Sequence, residues 1–299
     1  MPLQLKEPVF VALLNPAFLG RLERLQLATR RPLSGRLSGE HRSRRHGTSL
    51  DFADYREYHP GDDFRRIDYH LLARLDVLAL KLFEADDDLH VRLLVDTSAS
   101  MATGEKLAQA ARLAGALGFV SLVRRDSVSV HTMPAMSGVN AAPRFSGRNA
   151  AASLFAHLES LEAGGTTPFV HAAADLLGRP GPPGLTIVFS DLLTPEWNTA
   201  ISRLPARGGD VVVVQVLHGE ELDPTDAGDL DLIDRETGAR VPVSLSDATR
   251  AEYRTLVSRW LDEVALRCRS VDAGYMLVLD DEDIEPMLLA AWRHEGLLR

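Results

Sequence analysis

The sequence predicts an α/β fold: a doubly wound, mostly parallel sheet with helices on both faces, preceded by a smaller block that contains β-structure. Three observations carry this. From Leu89 onward, short apolar runs alternate with longer helical patterns, which implies parallel strands joined by crossover helices. The run Val211–Val214 is unbroken, as in a strand covered on both faces. Two apolar runs, Leu93–Val95 and Leu185–Ser190, stop at a carboxylate, Asp96 and Asp191.

The elements follow in order. Asn15–Arg30 has an apolar side of Phe18, Leu22, Leu25 and Leu27 and predicts an amphipathic helix. Arg31–Gly47 sets Pro32, Gly35, Gly39 and Gly47 among arginines and predicts an irregular connection. Strands are expected at Leu89–Val95, Ser127–Met133, Leu185–Ser190, Asp210–Leu217 and Tyr275–Leu279. Helices are expected at Lys106–Arg124, Ala150–Leu161, Phe169–Leu177, Glu196–Leu204, Ala248–Arg269 and Glu285–Arg293. Lys106–Arg124 is apolar nearly all round and should be buried on several sides. Leu230–Asp234 and Arg240–Val243 flank Glu236–Gly238 and predict a hairpin. The chain therefore divides into an N-terminal helix with an arginine-rich arm (1–46), a block at 47–88, and the α/β body at 89–299.

Composition limits the function classes. The 299 residues are 45% hydrophobic and 25% charged, suited to a globular core of normal size. A net charge of −9 argues against a chain built to coat nucleic acid or an anionic membrane. Cys268 is the single cysteine, so an intrachain disulfide, a cysteine-based zinc site and a CxxC pair are excluded. That usage fits a reducing compartment. No run approaches the roughly 20 apolar residues that span a bilayer, and MPLQLKEPVF lacks the basic start and apolar stretch of a signal peptide. The expected location is cytoplasmic.

The chemistry concentrates where the strands end. In LLVDTSASMATGEK (93–106), Asp96 is followed by Thr97, Ser98 and Ser100. Ligands of open α/β sheets sit beyond the carboxyl ends of the strands. Asp191 ends a second strand, and GGTTPF (164–169) offers Thr166 and Thr167 on a glycine turn before a helix. Acids and hydroxyls from one sheet edge make an all-oxygen site suited to Mg²⁺ or Mn²⁺. A Ser/Asp cluster after a strand can also simply cap a helix.

Asp96-Thr97-Ser98-Ala99-Ser100, GGTTP and Phe189-Ser190-Asp191 together resemble the metal-ion-dependent adhesion site of von Willebrand factor A domains. The resemblance implies a vWA-like, Rossmann-type fold. It implies Ser98, Ser100 and a threonine as direct ligands, Thr167 favoured over Thr166, with Asp96 and Asp191 acting through bound water. An ion held by neutral hydroxyls keeps charge and an open position, which a partner's carboxylate can fill. That is a binding device, and no enzyme activity is expected.

The segment from Tyr55 to Tyr69, followed by Ala73-Arg74, reads R-x-Y-x-P-G-D-D-x-R-x-I-D-Y and resembles the DUF58 family. That resemblance spans Gly47 to about Arg293. It implies a setting beside MoxR-type AAA+ ATPases, with an adaptor or chaperone-like role on a client protein. Arg56, Tyr58, Asp62, Asp63, Arg65 and Asp68 form a possible partner surface. Packing and ion pairing within the fold is the favoured role of the same block.

Two rival functions remain. A metal-dependent hydrolase or phosphotransferase could use the same oxygens against a phosphate. Yet the chain has no P-loop, GxSxG elbow or DxDxT string, and His131, His157 and His171 are not tied to the site by spacing. Arginines in 21–45 could contact nucleic acid, though no aromatic residue interleaves them for stacking.

Overall fold

A computed structural model describes residues 13–27, 52–58, 67–83, 89–133, 140–141, 144–166, 168–178, 183–292 and 298. Residue contacts divide the chain into two units, one of residues 1–33 with 89–299 and one of 34–88.

In the larger unit, β3 (His90–Asp96), β4 (Ser127–Met133), β7 (Leu185–Ser190), β8 (Asp210–Leu217) and β11 (Gly274–Leu279) form a parallel sheet in the order β11-β8-β7-β3-β4. Two short strands, β5 (Asn140–Ala141) and β6 (Phe145–Ser146), pair antiparallel with β4. Side chains along a strand alternate between faces, and the core divides accordingly. Val91, Leu93 and Val95 of β3, Leu185, Ile187 and Phe189 of β7, and Val212, Val214 and Val216 of β8 enter one apolar cluster. Leu94, Val188, Val211 and Val213 enter the other.

Helices cover each face. The first cluster takes α1 (Pro16–Leu22), α3 (Lys106–Val123) and α4 (Ala151–Glu159). The second takes α5 (Phe169–Gly178), α6 (Trp197–Arg203) and the end of α8 (Asp247–Ser270). This is the doubly wound arrangement expected. By length and composition α3 could cross a membrane, but 78% of it is buried inside the fold, which accounts for its apolar surface.

Several boundaries differ from the sequence reading. Asn15 accepts from Ala17 N and opens α1, which stops at Leu22, whereas helical spacing suggested a run to Arg30. Leu25 and Leu27 are buried from non-helical backbone, with Leu27 bridging Leu298. At the C-terminus, α9 (Ile284–Pro286) passes into a wider turn at Met287–Ala291. The hairpin forms from β9 (Gly228–Ile233) and β10 (Arg240–Leu245), and Asp234 accepts from Glu236 N and Thr237 N at its turn.

The smaller unit contains β1 (Phe52–Glu57) paired antiparallel with β2 (Ala79–Phe83), and α2 (Tyr69–Leu75) between them in sequence. Asp68 is buried and caps α2, accepting from His70 N at 2.9 Å and Leu71 N at 3.3 Å.

Candidate functional site

The carboxyl ends of four neighbouring strands carry the polar groups. Across the sheet edge lie Asp280 after β11, His218 after β8, Asp191 after β7 and Asp96 at the end of β3. Parallel pairing sets all four strands running in one direction, so their ends share one edge.

Asp96 is fully buried. Its Oδ1 accepts from Ser98 N at 2.9 Å, and its Oδ2 accepts from Ser190 Oγ at 2.6 Å. Burial pushes its carboxyl up to about 6; the Asp191 charge adds to that, and the bonds from Ser190 and Ser98 oppose it. The Ser98 and Ser100 hydroxyls lie 3.0 Å apart. Ser98 stands at the N-cap position of a short 3₁₀ turn, Ala99–Ala102, but makes no side-chain capping bond there. Its hydroxyl faces Ser100 instead, so capping does not account for the cluster.

Two backbone bonds bring the glycine turn to this edge. Ala99 N donates to Gly165 O at 2.9 Å, and Gly164 N donates to Thr97 O at 2.8 Å. Thr166 follows directly and is exposed; Thr167 lies outside the described residues.

Asp191 is held on every side. Its Oδ1 accepts from Leu193 N at 3.0 Å, and its carbonyl accepts from Gln215 Nε2 at 3.0 Å. Tyr275 Oη donates in turn to Gln215 Oε1. The next residue, Leu192, is buried with φ +60°, a conformation uncommon for a side chain with a Cβ. Its N–H donates to Ser190 Oγ at 3.0 Å, which stabilises the turn.

The second oxygen of Asp191 belongs to Lys106. The Lys106 ammonium, wholly buried in the first turn of α3, donates to Asp191 Oδ2 at 2.7 Å and to Glu221 Oε1 at 2.6 Å. Glu221 lies on α7 (Gly219–Leu222), and its Oε2 accepts from His218 N at 2.8 Å. His218 Nδ1 lies 2.8 Å from Asp280 Oδ2, which also accepts from Glu105 N at 2.7 Å. Polar contacts thus run from Asp96 to Asp280 along the edge.

Lys106, Glu221, His218 and Asp280 were missed in the sequence. Asp280 follows an apolar strand just as Asp96 and Asp191 do, so the same rule would have found it. Lys106 was visible as a cation in the first turn of a largely apolar helix. Glu221 and His218 carried no comparable local signal.

Gly104 explains the tight join between α3 and this edge. Its φ is +54°, and a Cβ there would collide with Asp280 Oδ2 and His218 Nδ1. Gly104→Ala is expected to lower stability by about 2 kcal/mol, read from the urea midpoint. A wild-type midpoint would show that the contact yields easily.

The donor set fits a hard cation in type. Asp96 with the paired hydroxyls of Ser98 and Ser100 offers only oxygen. Among the described residues, no group of three or more His, Cys, Asp and Glu side chains converges as a metal site, so an ion here would depend on the hydroxyls.

The block at 55–69 is only partly described. Tyr58 is half-buried, its N–H donating to Leu78 O at 2.9 Å, and Asp68 is engaged in capping. Arg56 lies in β1, paired with Leu80 in register. Asp62, Asp63 and Arg65 lie outside the described residues, as does 28–51 of the arginine-rich region. Arg21 of that region donates to Glu285 Oε2 at 2.7 Å.

The fold and edge define a mixed α/β protein with a mostly parallel sheet and a polar, largely buried site where the strands end. Residues 54–260 match the family described as "Protein of unknown function DUF58", and the chain belongs to that family. Uncharacterized proteins of Mycobacterium tuberculosis and Mycobacterium bovis are each 28% identical over 279 residues, covering 90% of this chain and 87% of the relative. Among solved structures, a conserved hypothetical protein BatB from Bacteroides thetaiotaomicron aligns over 70% of this chain and 98% of its own, with 16% identity and a TM-score of 0.41. An aerotolerance-related membrane protein from Bacteroides fragilis aligns over 69% and 98%, with 18% identity and a TM-score of 0.43.

Proposed function

We propose that the α/β body is a von Willebrand factor A-like interaction module that holds Mg²⁺ or Mn²⁺ at the sheet edge and receives a carboxylate from a protein partner. One observation carries this reading. Asp96, Ser98, Ser100, Ser190 and Asp191 meet at the ends of β3 and β7, and the 164–166 turn is hydrogen-bonded beside them. Ser98, Ser100 and Thr166 or Thr167 would hold the ion, with Asp96 and Asp191 supporting it through water. The ion would supply a positive centre with an open position. The family resemblance suggests a MoxR-type AAA+ ATPase and its client as partners.

Binding is favoured over hydrolysis because no P-loop, GxSxG elbow or DxDxT string accompanies these oxygens.

Thermal unfolding tests the reading. Mg²⁺ or Mn²⁺ at 100 times its Kd should stabilise by about 2.7 kcal/mol, raising Tm by roughly 5–10 °C. Asp96→Ala combined with Ser98→Ala should abolish the shift. No shift up to tens of millimolar metal would overturn the metal reading. Association with a MoxR-type ATPase that EDTA does not alter would overturn the proposed role of the ion in docking.

A further inference from the structure

Among the described residues, one of the largest fully buried side chains is a lysine, Lys106. An ammonium loses its hydration when buried and persists only beside compensating charge. Lys106 has two such partners, Asp191 from the end of β7 and Glu221 from α7. Asp191 is also the acid assigned to support the ion from across the site. Its Oδ2 is occupied by the ammonium and its Oδ1 by Leu193 N, so its charge is largely neutralised before any ion arrives.

We propose that Lys106 is a cation built into the site, which lowers the pocket's affinity for a divalent ion and keeps the loaded pocket receptive to an incoming carboxylate. This rests on the metal reading above and adds a determinant to it. Asp96, Asp191 and Glu221 against one ammonium leave two formal negative charges, which a divalent ion cancels. The loaded pocket is then neutral, and a carboxylate can approach without meeting net negative charge. Without the lysine the same loaded pocket would carry one negative charge. It would grip the ion harder and repel the partner.

The cost to ion affinity follows from the same charges. An ammonium fixed in a low-dielectric region repels a second cation more strongly than it would in water. Glu221 moderates this, because it draws part of the ammonium's charge toward the end of β8. Its other oxygen is fixed by His218 N, so this tether is set by backbone geometry.

Mn²⁺ titration of the full chain, followed calorimetrically and by the paramagnetic signal of free Mn²⁺, tests the proposal on wild type, Lys106→Met and Glu221→Gln. Lys106→Met is expected to tighten Mn²⁺ binding about tenfold or more, equivalent to about 1.4 kcal/mol. Glu221→Gln is expected to weaken it, because the ammonium loses one of its two counter-charges. A lysine that only stabilises the fold would produce no such opposite signs. If wild type binds Mn²⁺ and Lys106→Met binds it equally or more weakly, the lysine proposal fails and the metal reading stands. If neither protein binds Mn²⁺, the metal reading fails and the proposal falls with it. Should Lys106→Met not fold, Glu221→Gln decides, since Glu221 is the more exposed of the two acids on the ammonium, at 20% against 1% for Asp191. Unchanged or tighter binding there overturns the proposal.

Discussion

Asp191→Ala is expected to lower the unfolding free energy by about 3–5 kcal/mol, because it strips a buried ammonium of a principal counter-charge. Lys106 and Asp191 have side-chain exposures of 0% and 1%, so water cannot take over the lost contact. Glu221, at 20%, keeps one contact and places the loss toward the lower end of that range. Leu193 N also loses its acceptor. Asp191→Asn should cost less, since the amide oxygen still accepts from Leu193 N while the charge is lost. Arg254 and Asp223 make a contrasting pair at 52% and 53% exposure, and Asp223→Ala is expected to be near neutral. Urea unfolding at pH 7 in EDTA measures all three. A loss below about 1 kcal/mol for Asp191→Ala would show that the ammonium is solvated after all.

The same geometry explains what the sequence could reveal. Strands buried on both faces write themselves as unbroken apolar runs. Leu185–Ser190 and Asp210–Leu217 were therefore legible to the residue, and Ser127–Met133, which sets Val128 and Val130 between polar residues, was placed with the same bounds. Asp96 and Asp191 stood out because a carboxylate interrupts such a run. α1 was over-extended because Leu25 and Leu27 continue a helical spacing while being buried by backbone that has left the helix. The short strands β5 and β6 escaped because two residues carry no periodicity. The pairing of Lys106 with its acids escaped for a different reason. Glu221 and Asp191 stand 115 and 85 residues from it, and only the sheet order brings them to one ammonium. A sequence records which residues are unusual for their element. It does not record which of them meet.

Asp96 offers the second large effect, and its sign is opposite to that of most acids. Its carboxyl is pushed up to about 6 in the fold from an ordinary value of 3.8, chiefly because burial disfavours the charge and secondarily because Asp191 lies nearby. Between those values the folded protein holds a proton that the unfolded chain has released. Stability from this group is therefore greatest at low pH, falls as pH rises from about 4 to about 6, and is level above. The loss amounts to about 2–3 kcal/mol. Asp96→Asn should remove that slope and be more stable than wild type at pH 7 in EDTA, provided the amide oxygen keeps the bond from Ser98 N. The difference between the two proteins from pH 4 to pH 8, taken from urea midpoints, isolates this group from the other acids. A difference that does not vary with pH would refute the shift. A divalent ion competes with the same proton, so Mn²⁺ affinity of the wild type should rise as pH increases through about 6 and level off above it. A buried acid that destabilises the empty fold at neutral pH, beside paired hydroxyls, is what a site shaped around a cation would contain. If Mn²⁺ affinity proves flat across that range, the ion does not engage Asp96 and the metal reading loses its central acid.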